Sequence, residues 1–89
     1  MGARRRIEGL ALYHFEGCPY CSRVQSALAR LGVEVEQRDI QRDPARRAEL
    51  VAATGKATVP CLRIAEAESA RWLHESADIV RFLETRFSP

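Results

Sequence analysis

The sequence predicts an α/β domain of element order β-α-β-α-β-β-α, with a mixed four-stranded sheet and three helices. Three observations predict it: apolar runs of strand length that end in turn residues, helical apolar spacing between those runs, and short connections throughout. With 89 residues, 46% hydrophobic and 29% charged, the chain has the composition of one small globular domain.

Residues 10–15 are apolar and aromatic and stop at Glu16-Gly17, which predicts a short buried strand. From Pro19 onward Val24, Ala27, Leu28 and Leu31 recur at helical spacing, while Arg23, Gln25, Ser26 and Arg30 take the other face. Gly32 supplies the stop, and Pro19 sits in the first turn, where a missing N–H costs nothing. Val33 and Val35 alternate with Glu34 and Glu36 in a half-buried strand that reaches to about Ile40. Asp43 is placed to cap a helix over residues 44–54, with Ala45, Ala48, Leu50 and Val51 as its apolar positions and Gly55 at its end. Residues 59–64 read as a third strand, entered through Thr58-Val59-Pro60. Residues 71–74 then pair with it as a hairpin across the polar turn at Glu66-Ala67-Glu68-Ser69. Ser76 reads as the N-cap of a last helix that buries Ile79, Phe82 and Leu83. The first β-α-β unit requires a right-handed parallel crossover.

The net charge of +2 has a local origin. Setting aside Arg4, Arg5 and Arg6 leaves 11 basic against 12 acidic residues, a net −1. Residues 1–6 are therefore expected to be a solvated basic extension and residues 7–89 the folded domain. Positives beyond the tail are mixed with Glu and Asp, not interleaved with aromatics in a stripe, so no nucleic-acid partner is expected. No apolar stretch approaches the roughly 20 residues of a membrane span, and residues 1–6 lack the apolar run of a signal peptide, which predicts no membrane partner and a cytoplasmic location. Lys56 is the only lysine among the 14 basic residues.

Three cysteines, Cys18, Cys21 and Cys61, are an odd count that a fully paired disulfide framework would not show. Two of them form Cys18-Pro19-Tyr20-Cys21. Such a spacing serves a redox dithiol or half of a zinc site. Zinc would need Cys61 with His14 or His74, and no second closely spaced ligand pair exists, so no metal is expected. At the start of a helix Cys18 meets unpaired N–H groups and the positive end of the helix dipole, which favour thiolate over thiol. Cys21, one turn further in, is expected to stay protonated until it resolves a mixed disulfide. Cys61 reads as a buried strand thiol. His14 and His74, at strand ends, are expected to be hydrogen-bonded or exposed, and Trp72 and Phe82 to join the core.

The chain resembles the glutaredoxin branch of the thioredoxin superfamily over nearly its whole length. The resemblance is carried by Leu12-Tyr13, by Cys18-Pro19-Tyr20-Cys21 with Arg23 after it, by Thr54-Gly55-Lys56-Ala57-Thr58-Val59-Pro60, and by Asp78. Cys-Pro-Tyr-Cys is the usual dithiol glutaredoxin motif. The resemblance implies a thioredoxin-like fold and a glutathione-dependent thiol:disulfide oxidoreductase with Cys18 as nucleophile and Cys21 as resolving thiol. It implies glutathione as reductant, glutathionylated or disulfide-containing proteins as partners, and a monomer. It further implies a cis Pro60 facing the nucleophile and a Val59 backbone that pairs with the substrate's cysteinyl unit. Tyr20 and Thr58 would flank the cleft. The N–H groups of Ala77 and Asp78 would seat the γ-glutamyl carboxylate, a suitable task for a helix N-terminus.

Two departures stand out. Phe15 occupies the position where glutaredoxins commonly carry a lysine, which makes Lys56 the candidate for the glycyl carboxylate, ahead of Arg23 and Arg38. Glu75-Ser76 replaces a Gly-Gly pair and is similar to the glutamate-serine pair of glutathione S-transferase N-terminal domains, so Ser76 could donate its hydroxyl as well as its N–H. Two alternatives follow from the resemblance: a glutathione-ligated iron–sulfur dimer, disfavoured by proline after the nucleophile, and a glutathione-binding transferase-like module, for whose helical second domain 89 residues leave no room.

Overall fold

The computed structural model describes residues 4–88. Its elements follow the predicted order: β1 (Arg5–His14), α1 (Pro19–Leu31), β2 (Val33–Asp39), α2 (Pro44–Thr54), β3 (Cys61–Ala65), β4 (Ala70–Leu73) and α3 (Ser76–Phe87). The sheet runs β2-β1-β3-β4; β1 and β2 are parallel, and β3 is antiparallel to both β1 and β4. This is a thioredoxin-like α/β arrangement.

Alternation along the strands divides the core into two layers, because successive strand side chains point to opposite faces of a sheet. Leu10, Leu12, Val33, Val35, Leu62 and Ile64 pack with Val24 and Leu28 of α1 and Ile79 and Leu83 of α3. Tyr13, Ile40, Cys61 and Leu50 of α2 form the other layer, with Phe15 and Trp72 against it. Trp72 lies with its ring centroid 5.7 Å from that of Tyr13.

Several boundaries differ from the sequence reading. The first strand starts at Arg5, not at residue 10, so Arg5 and Arg6 are not part of a solvated extension. They pair with Val33 and Glu34, and the Arg5 N–H donates to the Gly32 carbonyl at 2.9 Å. Both side chains are exposed, which is why polarity misplaced them. The β1–β2 register shifts between Arg6 and Ala11, where Gly9 takes φ +86°, a left-handed conformation that glycine adopts without steric cost. Residues 1–3 of the expected extension lie outside the described residues. The third strand starts at Cys61, so Val59 and Pro60 precede it, and β4 stops at Leu73, leaving His74 outside.

The N-cap of α3 is Glu75, not Ser76. Ser76 is the first helical residue, and no side chain caps this end. In α2 only Leu50 is buried; Val51, expected on the apolar face, is exposed. Other ends match their signals. Asp43 Oδ1 accepts the Ala45 N–H at 3.1 Å, and Gly32 ends α1 at φ +70°, its N–H bonded to the Ala29 carbonyl.

Candidate active site

Cys18 is the N-cap of α1 and Pro19 opens the helix. The Cys18 Sγ accepts the Cys21 N–H at 3.2 Å, filling the role a serine or aspartate oxygen plays at other helix starts. The sulfur therefore occupies the spot toward which unpaired N–H groups and the helix dipole point. Both cysteines are buried, Cys18 at 5% exposure and Cys21 at 2%. Burial pushes the Cys21 thiol well above its ordinary range, and contact with Cys18 adds to the rise, while the Phe15 N–H works against it. Cys21 is thus held as a neutral thiol. Cys61 is fully buried in β3, as expected, and burial pushes its thiol up to about 11, opposed by Lys56. Among the described residues no group of three or more His, Cys, Asp or Glu side chains is placed to hold a metal ion.

A cleft of about 340 Å³ opens beside this turn, lined by residues of three segments: Tyr20 and Arg23 of α1, Thr58-Val59-Pro60 before β3, and residues 74–77 at the start of α3. The Val59–Pro60 peptide is cis. Six residues expected at a glutathione site meet here: Tyr20, Thr58, Val59, Pro60, Ser76 and Ala77. Lys56 and Asp78 are not among its walls. Lys56 is exposed, and Asp78 lines a separate groove between β4 and α3, with Arg81 3.9 Å away.

Arg23 is the cation that the fold brings to the cleft instead. Its guanidinium lies 5.9 Å from the centroid of the Tyr20 ring, one helical turn back. The i, i+3 spacing of Tyr20 and Arg23 was the signal available in the sequence. Arg38 is committed elsewhere: it donates to Glu36 Oε2 at 3.0 Å and to the Tyr13 hydroxyl at 2.7 Å, on the side of the sheet that carries α2. Phe15 packs against the Tyr13–Cys61 layer and brings no charge to the cleft.

The histidines depart from expectation. His14 Nε2 and His74 Nδ1 are both buried with no hydrogen-bond partner among the described residues. His74 stands in the cleft wall. His14 lines a different cavity of about 370 Å³, together with Cys21, Phe15, Glu16, Gly17, Ser22 and Gln25. Burial holds the His14 imidazole below its ordinary value of 6.5, against the opposing pull of Asp39 and Glu16.

Residues 12–89 match the family described as glutathione S-transferase, N-terminal domain. Glutaredoxin 3 of Escherichia coli is 37% identical over 54 residues, which cover 61% of this chain and 65% of that protein, just under two thirds of its length. A glutaredoxin of Pseudomonas aeruginosa is 37% identical over 57 residues, 64% of this chain and 68% of that protein. Among solved structures, glutaredoxin 2 from Salmonella typhimurium in complex with glutathione superposes with a TM-score of 0.73 at 26% identity, over 89% of this chain and 34% of that one. Maleylacetoacetate isomerase from Anaeromyxobacter dehalogenans, with bound dicarboxyethyl glutathione and citrate, gives 0.66 at 29% identity, over 88% and 36%. The chain thus spans about a third of each of these two longer proteins.

Proposed function

The chain belongs to the glutathione S-transferase N-terminal domain family and, with its bacterial relatives, to the glutaredoxins, and from that premise we propose that it is a glutathione-dependent thiol:disulfide oxidoreductase. The observation that carries this reading is the placement of the two thiols: Cys18 at the tip of α1 with its sulfur accepting an N–H, and Cys21 buried and neutral one turn behind. A nucleophile and a resolving thiol need that asymmetry.

In the first step the Cys18 thiolate attacks a disulfide sulfur of the substrate. A bond from Cys18 to glutathione forms as the substrate's S–S bond breaks, and the substrate sulfur leaves as thiolate. The mixed disulfide then has two exits. A second glutathione thiolate attacks the glutathione sulfur, releasing glutathione disulfide and reduced Cys18. Alternatively Cys21 attacks Cys18, expelling glutathione and leaving a Cys18–Cys21 disulfide for later reduction by two glutathiones. The cleft offers suitable partners for glutathione: the N–H groups at the start of α3, which has no side-chain cap bond among the described residues, for the γ-glutamyl carboxylate and Arg23 for the glycyl carboxylate. A reducing compartment such as the cytoplasm suits this chemistry.

The test is turnover of a small glutathione mixed disulfide coupled to glutathione reductase. Cys18→Ser is expected to abolish it, while Cys21→Ser keeps a substantial part through the first exit. Undiminished activity of the Cys18→Ser protein would overturn the assignment. A transferase-like reading is favoured by Ser76, buried at 8% exposure at the start of α3, and by the family match itself. Formation of a glutathione conjugate with 1-chloro-2,4-dinitrobenzene, undiminished in Cys18→Ser, would favour it.

A further inference from the structure

Resting on the oxidoreductase reading, we propose that His14 is the proton acceptor for Cys21 when the resolving thiol closes onto Cys18. The chemical need is plain. Cys21 reacts as thiolate, yet its burial keeps it protonated, so closure requires a base beside it inside the fold. His14 ends β1 directly ahead of the cysteine turn, and His14 and Cys21 of α1 both line one cavity of about 370 Å³. Among the described residues no group hydrogen-bonds the His14 Nε2, which is buried.

The groups that face His14 favour this role. From β2 comes Asp39, and from the turn comes Glu16, both carboxylates that steady an imidazolium once it forms. Arg42 is paired with each of them, at 3.9 Å from Asp39 and 2.9 Å from Glu16, and tempers their field. From α1 come Cys21 and the neutral Ser22 and Gln25. Burial keeps the imidazole neutral in the resting state, ready to accept.

The step balances as follows. The Cys21 S–H gives its proton to the neutral imidazole as its sulfur attacks Cys18 of the Cys18–glutathione mixed disulfide. The Cys18–Cys21 bond forms while the Cys18–glutathione bond breaks, and the electron pair leaves on the glutathione thiolate. That thiolate takes the proton from the imidazolium. Glutathione is reduced and the cysteine pair is oxidised. The exit in which a second glutathione attacks from solution does not pass through Cys21 and needs no His14.

The experiment is rapid mixing of the reduced full chain with glutathione disulfide and, separately, with the aromatic reagent 4,4′-dithiodipyridine, with acid-quenched mass spectrometry to follow the Cys18 adduct and its closure. His14→Gln and His14→Ala are compared with the wild type. The expected result is unchanged adduct formation, closure slowed about 100-fold or more at pH 7, and loss of the imidazole bend from the pH profile of closure. Added free imidazole should restore closure in His14→Ala. Closure at the wild-type rate in both variants overturns the proposal. So does slowed closure with the bend retained and no rescue by imidazole, which would mark a packing role. Failure of Cys21→Ser to form any glutathione adduct would instead count against the glutathione reading, and the aromatic reagent still reports the His14 step in that case.

Discussion

Arg23 and Tyr20 lie one helical turn apart, and α1 turns both onto the cleft wall. A guanidinium stacked on an aromatic ring is partly ordered before any ligand arrives, so less freedom is lost on pairing with a carboxylate. Lys56 has no such support and stands outside the cleft. Arg23→Ala is expected to raise the KM for glutathione about 5- to 10-fold with little change in kcat, the size of a lost charge-assisted hydrogen bond of roughly 1 kcal/mol. Lys56→Ala should leave KM within about twofold. Steady-state kinetics with varied glutathione decide it, and the reverse ranking of the two variants would move the glycyl carboxylate to Lys56. The two thiols were legible at this scale because a cysteine directly ahead of Pro19, the first residue of a helical segment, declares its own position. Arg23 was less so, since several arginines share the chain and only packing selects among them.

Helix α2 is the element with the least support. It buries Leu50 alone, while Ala45, Ala48 and Val51 remain exposed. Its first turn accordingly depends on Asp43, whose carboxylate accepts the Ala45 N–H. Asp43→Ala is expected to cost about 1 kcal/mol and to lower Tm by roughly 4 to 8 °C, readable by thermal circular dichroism. An unchanged Tm would show that the cap is dispensable. The start of α3 presents the opposite case. Without a side-chain cap, its first N–H groups stay available to a ligand's carboxylate. The sequence offered serine as an obvious cap at that position. In the fold the cap position falls at Glu75, whose backbone is extended, and Ser76 becomes the first helical residue.

At the scale of the whole molecule, acid stability follows from groups that the fold brings together. Arg38 hydrogen-bonds Glu36, and Arg38 and Arg46 lie near it, holding its carboxyl below its ordinary value of 4.5. A depressed carboxyl contributes stability fully above pH 4.5 and loses it as pH falls through the folded value. His14 adds an earlier loss: the unfolded imidazole takes its proton near 6.5, whereas the buried one resists until lower pH. Unfolding free energy from urea titrations should therefore begin to fall below pH 6.5 and fall more steeply below 4.5. Glu36→Gln is expected to flatten the lower portion only. An unchanged slope there would show that the ion pair contributes no linkage.

The sequence by itself determined the order of elements, the starts and stops of α1 and α2, and the position of Cys18 at a helix tip. Those features depend on residues within one turn or one strand of each other: apolar spacing, an acidic cap, a glycine free to take positive φ. Tertiary structure alone decided that Arg5 and Arg6 join β1, that Arg23 and not Lys56 reaches the cleft, and that His14 shares a cavity with Cys21 while its Nε2 finds no partner. Each of these depends on which strands pair and how α1 lies across them. Such contacts join residues distant in the chain, and local spacing carries no signal of them.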